Sequence, residues 1–140
     1  MRVLLDTNVV SELRKTNQPH VNANVVNWSR TYAAFDFCIS VMTLMEIEIG
    51  VLRLERRDSL QGRSLRGWFE NYVLRGFEGR ILDIDEKIVR KASLLHVPDP
   101  KPDRDAFIGA TASAYSLTLA TRNVRDFVAM GIDLINPWEQ

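Results

Sequence analysis

Cysteine and histidine are almost absent from this chain: Cys38 stands alone, and His20 and His96 are the only imidazoles. One cysteine allows no internal disulfide. With two scattered histidines it also excludes a zinc-thiolate cluster and leaves poor material for any zinc site. Long apolar runs are missing too, because charges interrupt each one well before the roughly 18–20 residues a membrane span requires. The apolar stretch before Asp6, in Met1-Arg2-Val3-Leu4-Leu5, is too short for a secretory signal, so a cytoplasmic location is expected. Charge of one sign is not in excess either. Lys plus Arg and Asp plus Glu number 18 each, so any surface for nucleic acid has to be local. Internal repeats, low-complexity segments and linkers are lacking, and 140 residues are too few for two comfortable domains. A single domain over residues 1–140 is expected.

What is present is an ordinary globular composition, 46% apolar and 26% charged. Val3–Leu5, Phe37–Ser40, Arg80–Ile84, Thr118–Thr121 and Leu134–Ile135 read as short strands. Between them fall helical spacings: Val9–Arg14, Val21–Tyr32, Thr43–Arg57, a stretch marked by Leu65, Trp68, Phe69 and Tyr72, then Asp85–His96 and Arg104–Tyr115. Ser59–Gly62 reads as a turn. Pro98, Pro100 and Pro102 break the chain between Val97 and Asp103, and Gly131 stops a helical turn begun at Asp126. Strands separated by helices imply parallel pairing with right-handed crossovers.

Acidic residues fall where predicted strands end: Asp6 after the first strand, Glu46 just past the second, Asp105 opening a late helix and Asp126 after Thr118–Asn123. Singly, each has a local explanation. Asp6 suits a helix N-cap, Thr43-Leu44-Met45-Glu46 fits a capping box, and first-turn acids such as Asp103, Asp105 and Asp126 complement the helix dipole. Collectively they point to one edge of one sheet, the carboxyl edge at which open α/β sheets gather ligands. Converging carboxylates favour a hard cation, Mg²⁺ or Mn²⁺. Thr7, Asn8, Ser40, Thr121 and Asn123 stand beside them as small polar residues that can orient carboxylates or hold waters. This is the chemistry of a metal-dependent enzyme acting on phosphodiesters through metal-activated water, with no protein nucleophile required.

At these residues the chain resembles the PIN-domain ribonucleases, in particular the VapC-like toxins of toxin–antitoxin pairs. The resemblance is carried by Leu4–Leu13, Ser40–Gly50, Asp103–Ala112 and Leu119–Phe127, in unbroken order. Ser11-Glu12-Leu13-Arg14-Lys15 is most similar to the FitB-like, plasmid-stability branch. The resemblance implies a Rossmann-like three-layer α/β/α sandwich around a mainly parallel sheet. It further implies Mg²⁺- or Mn²⁺-dependent endoribonuclease activity, a homodimer and a VapB-like antitoxin that blocks the acidic cleft. The family's three central acids map onto Asp6, Glu46 and Asp105. Where many relatives carry an acid directly after the Thr-Arg pair, this chain has Asn123, with Asp126 three residues later. Asp6, Asp105 and Asn123 are thus the implied metal ligands, and Asp126 the remaining acid.

A polyanionic substrate needs cations near this cleft. Arg14, Lys15, Arg53, Arg56, Arg57, Arg63, Arg66, Arg122 and Arg125 are the candidates, against a reading in which they pair with Glu48, Glu55 and Asp58 on solvated helices. Arg122 is placed beside the site by its motif. Trp28, Trp68, Phe69 and Tyr72 are candidates for stacking on RNA, for core, or for a groove that accepts an antitoxin helix. The expected substrate is structured RNA, tRNA among the possibilities. Two other readings stand beside this one. In the first, the acids are only helix caps of a non-catalytic binding module. In the second, Asp6 is the nucleophile of an aspartyl-phosphate phosphatase or receiver, which Asn8 disfavours because such phosphatases place a second Asp there.

Overall fold

Five short strands form one all-parallel sheet in the order β3-β2-β1-β4-β5 in a computed structural model of residues 1–140. They are β1 (Val3–Leu5), β2 (Phe37–Ser40), β3 (Ile81–Leu82), β4 (Thr118–Ala120) and β5 (Leu134–Ile135). The helices are α1 (Thr7–Leu13), α2 (Ala23–Ser29), α3 (Val41–Arg57), α4 (Ser59–Trp68), α5 (Glu86–Leu95), α6 (Asp103–Ala114) and α7 (Val124–Phe127). A π-helical stretch, Phe69–Leu74, continues α4. β1 is central, pairing Val3 with both Phe37 and Thr118.

The period-two alternation of β1 divides the core. Val3 and Leu5 face Val9, Val10, Trp28, Ile47, Val51, Phe69 and Val73, contributed by α1 to α3 and the π-helical stretch. Leu4 faces the opposite layer, with Cys38 and Leu119 against Ile108, Ala112 and Phe127 of α6 and α7. The three strands are buried on both faces, which is why they read as continuous apolar runs rather than alternating ones. α5 packs on α6 through Ile88, Ala92, Ala106 and Ala110.

Three local expectations change. α3 begins at Val41, not Thr43, because the Ser40 hydroxyl accepts from Met42 N at 3.0 Å. Thr43 is buried inside the helix with its hydroxyl unpartnered, so Thr43 and Glu46 form no capping box. Ser59–Gly62 is the first turn of α4 rather than a loop, capped by Asp58 on Gln61 N. Gly62 is needed there because a Cβ would overlap the Glu55 backbone where α3 and α4 cross. α2 covers only Ala23–Ser29. The hydroxyls of Ser29 and Thr31 turn back onto Val26 O and Trp28 O, a side-chain competition that ends helices. Gly131, at φ 67°, supplies the left-handed residue that closes the turn after α7.

Candidate active site

Asp6 is the best-anchored acid of the chain. It sits at the end of β1 as the N-cap of α1, and its Oδ1 accepts from Thr7 N at 2.9 Å. Its Oδ2 accepts from the Thr121 hydroxyl at 2.7 Å and, at a long 3.5 Å, from Asn8 Nδ2. Thr121 is itself fully buried and accepts from Asn123 N at 3.0 Å. The Thr121 proton is therefore directed at Asp6, and the carboxylate must present an acceptor. Asn8 completes a clamp, taking the Arg122 N–H on its Oδ1 at 3.2 Å. Two loops that follow neighbouring strands are locked together around one carboxylate.

Glu46 reaches the same place from the second turn of α3, where its Oε1 accepts from the Thr7 hydroxyl at 3.2 Å. Asp105 arrives differently from the expectation that every acid trails a strand: β3 ends at Leu82, and α5 and the proline-rich loop intervene. It lies in the first turn of α6, the helix that feeds β4, and such a crossover helix starts at the carboxyl edge of a parallel sheet. Asp126 projects from α7, with Asn123 at its N-cap position making no side-chain cap bond.

Electrostatics link these carboxylates. Burial raises the Asp6 pKa despite its hydrogen bonds, and repulsion from Asp126 adds to the rise. Burial also raises Glu46, followed by repulsion from Asp6, with the Thr7 bond and Arg104 opposing and Asp105 adding to it. Asp105 is raised by burial, then by Asp126 and Asp6, with no hydrogen bond offsetting either. Asp6, Glu46 and Asp105 each thus feel at least one other carboxylate. They do not close into a finished ligand set, since no three His, Cys, Asp or Glu side chains are grouped tightly enough to hold a metal ion. The carboxylates are nonetheless all oxygen donors whose repulsion is only partly offset, which suits a hard divalent cation and not a soft one.

Not every candidate joins the site. The Ser40 hydroxyl is occupied at the α3 N-cap. Asp103 is exposed, sits 3.4 Å from His96 Nε2, and is not among the carboxylates that raise Asp105. Arg66 is consumed by Glu48, Glu55 and Glu70, as the solvated-helix reading anticipated. Trp28 and Phe69 are core, Trp28 stacking with Tyr32 and Phe37. Trp68 and Tyr72 instead line an apolar groove of about 160 Å³ with Val10, Leu13 and Phe77. Arg122 is exposed, pairs with no acid, and stacks over Trp138 at 5.1 Å. Two contributors escape the sequence reading: Arg104, which faces Glu46, and Trp138, the shelf beneath Arg122. Only the motif position of Arg104 could have signalled it.

The family model described as "PIN domain" matches residues 3–132. Toxin FitB of Neisseria gonorrhoeae is 34% identical, over 97% of this chain and 98% of that protein. The protein named VapC ribonuclease Y4jK, from Sinorhizobium fredii, is 32% identical over 98% of each. Among solved structures, FitAcB from Neisseria gonorrhoeae superposes with a TM-score of 0.88 at 32% identity, covering 99% of both chains.

Proposed function

The chain belongs to the PIN-domain family, and from that premise we propose that it is a metal-dependent endoribonuclease, the toxin of a VapBC-type toxin–antitoxin pair, built as one PIN domain over residues 1–140. The observation that carries the reading is the convergence of Asp6, Glu46 and Asp105 at the carboxyl edge of the sheet, each raised by burial and by a neighbouring carboxylate.

Asp6, Asp105 and Asn123 would hold Mg²⁺ or Mn²⁺. When bound, such a cation lowers the pKa of a coordinated water and offsets charge on the phosphodiester. The protein's own contribution is positional. Thr7 N, Thr121 and Asn8 fix the Asp6 rotamer and oppose the rise that burial imposes on its pKa. Glu46 keeps Oε1 on the Thr7 hydroxyl, which leaves Oε2 to take the proton of the attacking water. Its raised pKa, set mainly by burial, brings it nearer to neutral and makes it a better base. Asp126 adds negative charge at the exposed rim, and Arg122 answers the charge of the substrate phosphate.

The partners follow the same reading. RNA, with tRNA among the candidates, is the substrate, and a VapB-like antitoxin covers the cleft. The apolar groove under Trp68 and Tyr72 has the character of a seat for an antitoxin helix. A homodimer would cover the apolar stripe of α3, where Val41, Met45, Ile49 and Leu52 line a hollow and Leu52 is 54% exposed. No helix is long and apolar enough to cross a membrane. The test is incubation of the purified protein with total RNA, with and without Mg²⁺, and mapping of the ends produced. Asp6→Asn and Asp105→Asn should keep the fold and abolish cutting. Equal cutting by both variants and the parent would refute the site.

A further inference from the structure

We propose that Arg14 and Arg57 form a phosphate-binding subsite that holds the RNA strand beside the bond to be cut. The inference rests on the ribonuclease reading above and adds to it where the strand lies. A cavity of about 300 Å³ runs from Thr7 and Glu46, at the carboxylate floor, to Trp68. Arg14, from the turn after α1, and Arg57, from the last turn of α3, both line it.

Neither guanidinium belongs to any of the five ion pairs in the chain. Lys15, by contrast, pairs with Glu12 and Arg66 with three glutamates, and of the unpaired arginines nearby, Arg53, Arg56 and Arg63 do not line the cavity. Arg14 is also held in place, its Cζ 5.7 Å above the Trp68 ring, so its charge is oriented before any ligand arrives. Two cations outside any ion pair, Arg14 held over Trp68 and Arg57 exposed, therefore share one trough with Glu46 of the proposed cutting site. A single-stranded polyanion satisfies both ends at once: its backbone phosphates lie along the arginines, and the next phosphodiester reaches Glu46. Arg57 alone could be explained by the helix C-terminus it complements. Arg14, the C-cap residue of α1, complements a helix end too, so what sets the pair apart is that both line the cavity that also holds Glu46.

The experiment measures binding of a fluorescent single-stranded RNA in EDTA, so that nothing is cut, across a range of salt. Each lost phosphate contact lowers the slope of log K against log salt by about 0.7 on a single strand. Arg14→Gln and Arg57→Gln should each remove about that much, and the double variant about twice as much. Arg14→Lys and Arg57→Lys should keep the parental slope, which separates charge from folding. With Mg²⁺ restored, the Gln variants should show a raised KM and a nearly unchanged kcat. Unchanged slopes in the Gln variants, while the parent binds, overturn the subsite and leave the nuclease reading standing. Gln variants that keep the slope but lose binding to a VapB-like antitoxin assign the trough to that protein and likewise overturn it. A parent that neither binds nor cuts any RNA overturns both.

Discussion

Replacing Thr121 by Val removes one hydroxyl from a fully buried position, and the structure says what depends on it. The hydroxyl donates to Asp6 Oδ2 at 2.7 Å and accepts from Asn123 N at 3.0 Å. A hydrogen bond to an ionised group contributes about 1.5–3 kcal/mol, and the stranded Asn123 N–H adds to the loss. The Asn123 side is exposed, so water recovers part of that second cost. The variant should lose about 2–4 kcal/mol at neutral pH, which for a domain of this size lowers Tm by roughly 10 °C. Thr121→Ser keeps the hydroxyl and gives up only a methyl group, costing about 1 kcal/mol. The pH dependence has a definite sign. Burial already raises the Asp6 pKa above the ordinary aspartate value, and the Thr121 bond pulls against that rise. Without the bond, the folded-state pKa climbs further. The gap between parent and Val variant is fully present above both folded values and shrinks as pH falls through them, because a protonated Asp6 no longer needs the donor. Urea unfolding of parent, Ser and Val variants at neutral and mildly acid pH measures all of this. Equal stability of the Ser and Val variants at neutral pH, or a gap that widens in acid, would refute the reasoning.

Three other substitutions probe separate parts of the fold. Asp105→Asn should make the metal-free protein more stable at neutral pH. The folded pKa of Asp105 is raised, so its charge costs stability above that value and the advantage of the variant fades in acid. In a thermal-shift assay Mn²⁺ at a hundredfold excess over its Kd should stabilise the parent by about 2.7 kcal/mol and the variant far less. Gly62→Ala should force α3 and α4 apart at the Glu55 backbone, costing about 1–3 kcal/mol in urea unfolding without touching the carboxylates. Trp138→Ala removes the shelf under Arg122, an exposed cation–π contact of about 0.5–1 kcal/mol, so KM for RNA should rise about two- to fivefold with kcat nearly unchanged.

The sequence made the framework legible because burial on both faces leaves a mark in one dimension. Phe37–Ser40 and Leu134–Ile135 occupy their expected bounds, and α5 starts where Asp85 caps it. Boundaries failed where two chemistries competed for one stretch. Ser40 and Thr43 can both cap a helix, and only the geometry of β2 decides that Ser40 does. Gly62 reads as a turn residue, yet it is helical because two helices cross against it. The acids of the site could be picked out, but their supports could not. Nothing local connects Thr121 to Asp6 across 115 positions, Arg104 to Glu46, or Trp138 to Arg122. The same holds for the cations: Arg14 and Arg66 look alike in sequence, and only packing shows that one is neutralised and the other is not.

The pairing of β1 with β4 bears on when this protein can do harm to the cell that makes it. Val3 emerges from the ribosome early, but its neighbour Thr118 is not translated until most of the chain has been synthesised. At about 5–20 residues per second that delay lasts several seconds at least, during which Asp6 has neither Thr121 nor the loop that carries Asn123. On the proposed site, a growing or truncated polypeptide is expected to cut no RNA until the late strand slots in alongside the early one. Synthesis itself thus provides an interval in which an inhibitor made nearby can already be waiting.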